Sequence, residues 1–351
     1  MQIHDYLGDD GQAILALCSA LGMPPETEGR PAAPFTLAAW NQLAKQIHAS
    51  PLKSPAGLQG LPVAEIAKTL ALPEEEAKRI ELLLGRAGRL ALELETLFSK
   101  GMWVVTRADQ LYPKNLRENL KAQSPTVLFG AGDIHLLRKG GVAVIGSRNI
   151  DEAGSAFARA VGARIVAAGL PVISGGARGT DRLAMDAAIQ AGGLAIGVLA
   201  DSLERVVRQP DLRQLLIEGQ LVMVTPYVPT AGFSVGSAMG RNKIIYGLAN
   251  YAVVVSSEFQ TGGTWAGAVE ALKADSCPVF VRESANAPKG NRELEKLGAH
   301  PLPEDQLAGI EDLQDWLKSN ARARPVELDL FDNAPGLELR DAATGKKTPE
   351  K

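Results

Sequence analysis

Between residues 142 and 181 the chain twice runs from a short apolar stretch straight into a small-residue turn that carries one arginine. The first stretch, Val142-Ala-Val-Ile-Gly146, continues into Ser147 and Arg148. The second, Pro171-Val-Ile-Ser174, continues into Gly175-Gly176-Ala177-Arg178-Gly179-Thr180-Asp181. Continuous Val/Ile runs bounded by glycine are the mark of strands buried on both faces, which places helices on both sides of a parallel sheet. Right-handed crossovers then give a doubly wound α/β fold. In such a sheet the turns at the carboxyl ends of the strands lie side by side, where ligands bind. Helix-start amides exposed by glycine and serine attract anions, and arginine adds a forked, permanently charged donor. The ligand implied is phosphate-bearing, either a nucleotide or a nucleic-acid backbone.

The rest of the chain fits this frame. After 142–146 and 172–174, strands are predicted at 194–199, 221–225, 252–256 and 277–281. They alternate with helices over 152–168, 182–191, 212–217, 241–248 and 265–274. A further strand, Met102-Trp-Val-Val-Thr106, precedes this core. Residues 1–100 read as a helical domain. Thr36 is placed to cap a helix bearing Leu37, Trp40, Leu43, Ala44 and Ile47, and one later helical face carries Ile80, Leu83, Leu84, Ala87, Ala91, Leu94 and Phe98. Two helices flanking Ala71-Leu72-Pro73 form either a helix-turn-helix or a small bundle packed on the core. Glu74-Glu75-Glu76 at the start of the second helix would repel phosphates and favours the bundle. The core is assigned to 101–305, and 306–351 to a short helix and a disordered tail, since the chain turns polar beyond about residue 320.

Composition removes several function classes. At 46% apolar residues the chain can build a real core, yet no run approaches the roughly 20 apolar residues of a membrane span. Met1-Gln-Ile-His-Asp-Tyr6 is no basic segment leading into an apolar one, so a secretion signal is not expected. Cys18 and Cys277 stand far apart, which fits a reducing cytoplasm. His4, His48, His135 and His300 show no ligand spacing, so a metal site is not expected; nor is a resident cofactor. With a formal net charge of −3, a nucleic-acid surface has to be a local patch.

The candidate phosphate-binding residues are Gly146, Ser147 and Arg148 in the first turn, and Ser174, Gly175, Gly176, Arg178, Gly179 and Thr180 in the second. Asp181 is expected to cap the following helix. The first turn does not follow the dinucleotide fingerprint, whose later glycines would have to stand where Arg148 and Asp151 are found. A third group is Arg241, Asn242 and Lys243, read as two cations at a helix start, where they oppose the macrodipole unless an anion joins them. Gly262, Gly263 and Thr264 open a fourth helix. That helix carries Glu270, the sole carboxylate beside a Gly-Gly-Thr turn and the general acid or base of any hydrolase reading. Ser147 and Ser174 read as phosphate donors rather than nucleophiles, since neither sits in a Gly-x-Ser-x-Gly elbow.

In this order, Gly-Ser-Arg, Ser-Gly-Gly-Ala-Arg-Gly-Thr-Asp and Gly-Arg-Asn-Lys-Ile-Ile-Tyr-Gly-Leu-Ala resemble the DprA/Smf family of DNA-processing proteins. The Trp-Val-Val-Thr strand, Asp109-Gln-Leu-Tyr-Pro113 and Pro125-Thr-Val-Leu-Phe129 extend the resemblance to roughly residues 95–300. It implies a Rossmann-like, doubly wound, mostly parallel sheet that binds single-stranded DNA without cutting it, with Arg148, Arg178, Arg241 and Lys243 on the strand. It further implies a homodimer that protects strands during natural transformation and passes them to a RecA-type recombinase. The chain departs from the family pattern at Ala184-Met185, where Ala-His is common, and at Phe280-Val-Arg-Glu283, where Val-Pro-Gly is usual. Two other readings remain open. One is a nucleotide sensor of the same superfold. The other is a phosphoribohydrolase, whose Gly-Gly-x-Gly-Thr-x-x-Glu motif Gly262–Glu270 approaches with different spacing. In the tail, Glu327-Leu-Asp-Leu-Phe331 resembles sliding-clamp docking peptides, with Leu328, Leu330 and Phe331 as the contacts; docking back onto the chain's own core is the competing reading.

Overall fold

A computed structural model describes residues 7–23 and 32–321. The expectations placed on the tail, including Leu328, Leu330 and Phe331, lie outside the described residues. The chain opens with helices α1 (Asp9–Cys18), α2 (Leu37–Ala49), α3 (Val63–Leu70), α4 (Glu74–Leu84) and α5 (Ala87–Ser99). The Thr36 hydroxyl accepts from the Ala39 amide and caps α2, whose Trp40, Leu43 and Ile47 are buried. The single apolar face expected from Ile80 to Phe98 divides into two helices. α4 stops at Gly85, and Arg86 turns back to donate to the carbonyls of Ala16, Ser19 and Leu21 at the end of α1. The new phase of α5 buries Leu90, Leu94 and Leu97 and leaves Ala87 and Ala91 exposed. Ile14, Ile80 and Leu94 from these helices share one apolar cluster with Val104 and Phe129 of the sheet.

Among the described residues nine strands form one sheet in the order β1-β2-β6-β5-β4-β3-β7-β8-β9. They are β1 (Met102–Thr106), β2 (Val127–Ala131), β3 (Val142–Gly146), β4 (Val172–Ser174), β5 (Ala195–Val198), β6 (Leu221–Thr225), β7 (Tyr251–Ser256), β8 (Val279–Glu283) and β9 (His300–Pro303). From β6 to β9 all neighbours are parallel, and β1 and β2 add an antiparallel edge. Chain order runs one way from β3 through β4 and β5 to β6, and the other way from β7 to β9. The reversal therefore falls between β3 and β7, the switch point at which doubly wound sheets open a crevice.

Helices cover both faces: α6 (Lys114–Leu120), α7 (Glu152–Ala167), α8 (Thr180–Gln190), α9 (Leu203–Val207), α10 (Pro210–Ile217), α11 (Val235–Leu248), α12 (Gly262–Ala274), α13 (Lys289–Lys296) and α14 (Leu313–Asn320). The alternation of a strand distributes β3 between two cores. Val142 and Val144 join the cluster under α7 and α8, while Ala143 and Ile145 join the one under α11 and α12. α7 and α8 pack closely because residue 162 is glycine; a Cβ there would lie 2.5 Å from the Ala184 carbonyl oxygen. No helix among the described residues is long and apolar enough to cross a membrane.

Candidate nucleic-acid interface

The turns after β3 and β4 are built as one unit. Ser147 donates its amide to the Ser256 carbonyl at the end of β7 (2.9 Å), which ties the first turn to the switch point. Thr180, at the start of α8, donates both its amide and its hydroxyl to the Ser147 carbonyl (3.2 and 3.1 Å). Glycines permit this contact. A Cβ at 146 would lie 2.4 Å from Thr180 Oγ1, and one at 179, where φ is +88°, would lie 2.6 Å from the carbonyl oxygens of Ser147 and Arg148.

This packing corrects the role expected for the hydroxyls. Ser174 is fully buried and donates to the Val144 carbonyl (2.6 Å), and Ser147 Oγ donates to the Asn149 carbonyl (2.8 Å). With Thr180 also engaged, all three are committed to the protein's own backbone and serve to shape the turns. Asp181 likewise does not cap α8, because the helix already begins at Thr180 with Gly179 before it. Instead its Oδ2 reaches back to accept the Gly175 amide (3.1 Å).

Beyond the two turns lies a crevice of about 410 Å³. Arg148, Arg178 and Arg241 all line it. Arg148 is exposed, and its side chain makes no hydrogen bond or ion pair with the described residues. Arg178 is exposed and has only a 3.4 Å contact with Asn149 Oδ1. Arg241 differs from both. It is 6% exposed, its Nη1 stands 3.9 Å from Asp181 Oδ2, and its Nε and Nη1 have no hydrogen-bond partner. Burial pulls its pKa down, and Arg148 adds to that shift while Asp181 opposes it. An anion in the crevice would relieve both the repulsion and the missing hydrogen bonds.

The position of Arg241 corrects the argument made from its helix. α11 begins at Val235 behind a Ser234–Ser237 capping box, so Arg241 sits in its second turn and not at its start. The macrodipole therefore does not single it out; its burial does. The same geometry separates Lys243 from Arg241, because two positions along a helix turn the side chain by about 200°. Lys243 points away from the crevice to Glu270 (2.8 Å) and Gln123 (3.1 Å), in a second groove of about 250 Å³. Asn242 donates to the Gly263 carbonyl (3.1 Å). Gly262, Gly263 and Thr264 do open α12, yet they line neither cavity, and Glu270 belongs to the second groove.

Sequence reasoning missed Arg182 and Arg205, which also line the crevice, and the exposed Phe233 at its rim. The two arginines are paired locally, with Asp186 (2.9 Å) and with Asp201. Asp201 and Arg205 follow the carboxyl end of β5, so the strand-end rule that found Arg148 also points to them.

Asp181 makes the crevice sensitive to pH. Burial pushes its carboxyl up to about 6, against the opposing pull of Arg241 and the backbone amides of Ala177 and Gly175. As pH falls through that value Asp181 loses its negative charge, and Arg241 is left free to meet an anion. Affinity for a polyanion is expected to rise severalfold between about pH 7.5 and about pH 5.5, and Asp181→Asn should abolish that rise. Equal pH responses in the two proteins would refute the assignment.

The model of the DNA recombination-mediator protein A family matches residues 103–313, well over half of the chain. The chain belongs to this family. Protein Smf of Escherichia coli is 32% identical over 158 residues, covering 44% of this chain and 41% of that protein. DNA processing protein DprA of Streptococcus pneumoniae is 31% identical over 155 residues, 44% of this chain and 54% of that one. The chain thus spans about half the length of the relatives it matches. The X-ray structure of the Streptococcus pneumoniae DprA superimposes with a TM-score of 0.59 at 22% identity. It covers 77% of this chain and 92% of that one, a likeness of fold. The family match runs from the second residue of β1 past β9 and contains every crevice arginine.

Proposed function

We propose that this DNA-processing family member binds single-stranded DNA in the crevice, with backbone phosphates on Arg148, Arg178 and Arg241 and little preference for sequence. The observation that carries the reading is Arg241: a guanidinium almost wholly buried, with Nε and Nη1 unmatched, facing the same crevice as two exposed arginines that no described carboxylate neutralises. Gly176, with φ +64° and no atom within 4 Å of where a Cβ would stand, contributes backbone that an anion can approach closely, in the manner of glycine-rich phosphate turns, while the Gly175 amide is committed to Asp181.

The proposal contains no bond-breaking step. Glu270, the carboxylate on which a phosphoribohydrolase reading depends, is ion-paired to Lys243 outside the crevice. A general acid or base has to stand within about 3 Å of its proton partner, and no substrate held by Arg148 and Arg241 meets Glu270 in their cavity. By family resemblance the biological role proposed is the protection of incoming strands and their transfer to a RecA-type recombinase, with the chain acting as a homodimer. The test is titration of a labelled single strand with the protein at increasing salt, with duplex and mononucleotide as competitors. Preference for the mononucleotide would replace the DNA reading with that of a nucleotide sensor.

A further inference from the structure

Arg282, next to the last residue of β8, is fully buried, and Nε, Nη1 and Nη2 all lack a hydrogen-bond partner. Its two carboxylates stand off: Glu304 Oε2 is 3.7 Å from Nε, and Asp151 Oδ1 is 4.0 Å from Nη1. The Phe157 ring, one turn into α7, lies 5.9 Å from the guanidinium carbon. Burying a cation so loosely satisfied is unfavourable, and an apolar side chain of similar volume is commonly as stable or more so at such a position. The cation also sits under the first turn of α7, the end at which a helix repels positive charge. Stability does not account for an arginine here.

Its surroundings point to what does. Gly154 clears the space it occupies: a Cβ at 154 would lie 2.8 Å from Arg282 Nη1, 2.8 Å from Asp151 Oδ1 and 2.7 Å from Ile150 Cγ1. Asp151 Oδ1 accepts the Gly154 amide as the α7 cap (2.8 Å) and is the same atom that faces Arg282. Asp151 ends the loop that begins at Ser147. The Ser147 end is fastened to β7 and α8 by backbone hydrogen bonds, whereas the Asp151 end is fastened by its own cap and by Arg282. Between the two ends stand Arg148 and Asn149, and Asn149 receives Arg178.

We propose that Arg282 is a positioning residue for the crevice: by holding Asp151 from below it fixes the loop 147–151 so that Arg148 and Arg178 converge on one anion. The proposal rests on the DNA reading for its binding consequence, and on the loop alone for its structural one. Arg282→Met is the first variant. The protein should melt at the same temperature or higher, because Asp151 and Glu304 are each partly exposed and can hydrate. Single-strand affinity should nevertheless fall about fivefold, within the coupling range of residues joined in one network. Arg282→Lys should recover part of the loss. In an Arg148→Ala background, Arg282→Met should cost clearly less than it does alone, since only the route through Asn149 to Arg178 is then left. Asp151→Ser, which keeps a capping oxygen but removes the charge, should lose as much as Arg282→Met and serves if that variant does not fold.

Hydrogen exchange of the amides in 147–154, measured without DNA, provides a second readout and should quicken in Arg282→Met. Unchanged exchange there, unchanged affinity, or losses that add with Arg148→Ala would each overturn the proposal. A wild-type chain that fails to bind single strands overturns the DNA reading instead, and the exchange result still decides the role of Arg282.

Discussion

Gly175→Ala should weaken single-strand binding at least about tenfold, the loss expected when one charge-assisted hydrogen bond is removed. The reason is steric. A Cβ at 175 would fall 1.3 Å from Arg241 Nη1 and 2.4 Å from Cζ, so the guanidinium and a methyl group cannot share the site. What must move is the far end of a flexible side chain rather than backbone, and the displaced guanidinium leaves the position from which it faces the anion held by Arg148 and Arg178. The fold should therefore survive with a strain of about 1–3 kcal/mol. Urea denaturation and a binding isotherm on the same preparation separate the two effects. Full affinity in Gly175→Ala would mean that Arg241 does not touch the ligand from its buried position.

Arg148→Ala and Arg178→Ala should act on a similar scale. Each exposed guanidinium contributes at most one phosphate contact, and its removal should cost about 1–3 kcal/mol, or roughly 5- to 150-fold in affinity. Arg148 is expected to lie at the upper end, because its side chain has no partner among the described residues to hold it back, whereas Arg178 leans on Asn149. Melting temperatures should not change, since both side chains are exposed. A variant that kept its affinity and lost thermal stability would reveal a structural arginine and a wrong map of the site.

Much of this architecture is visible in the residues themselves. The runs at 142–146 and 172–174 are short, rich in Val and Ile and bounded by glycine, which marks buried strands, and the glycines after them announce turns that allow close approach. β9 escaped notice because Pro301 and Pro303 argue against a strand, although an edge position tolerates them. The α4–α5 break was hidden because both helices keep leucines near one spacing, and only the tertiary reach of Arg86 to the end of α1 separates them. In the site, Arg148 and Arg178 follow from strand-end logic. The role of Arg241 does not, because Gly240 looks like a helix boundary while the true start, Ser234 with Ser237, is concealed in a run of small residues. Nor can a sequence say that Ser174 turns inward to Val144 while Arg148 stays unpaired; a hydroxyl and a guanidinium beside glycines read alike. Arg282 looks like the polar end of a strand, and only the third dimension brings it beneath Asp151.

The central claim is that Arg148, Arg178 and Arg241 displace counterions from a single strand. It is tested most directly by the salt dependence of binding of the unmodified chain to a labelled oligonucleotide. Single strands give a slope of log affinity against log salt of about −0.7 per phosphate contact, so three contacts predict a slope of about −2. An oligonucleotide should also displace the label at far lower concentration than a mononucleotide does. A flat salt response, or displacement at equal or lower concentration by the mononucleotide, would contradict the account.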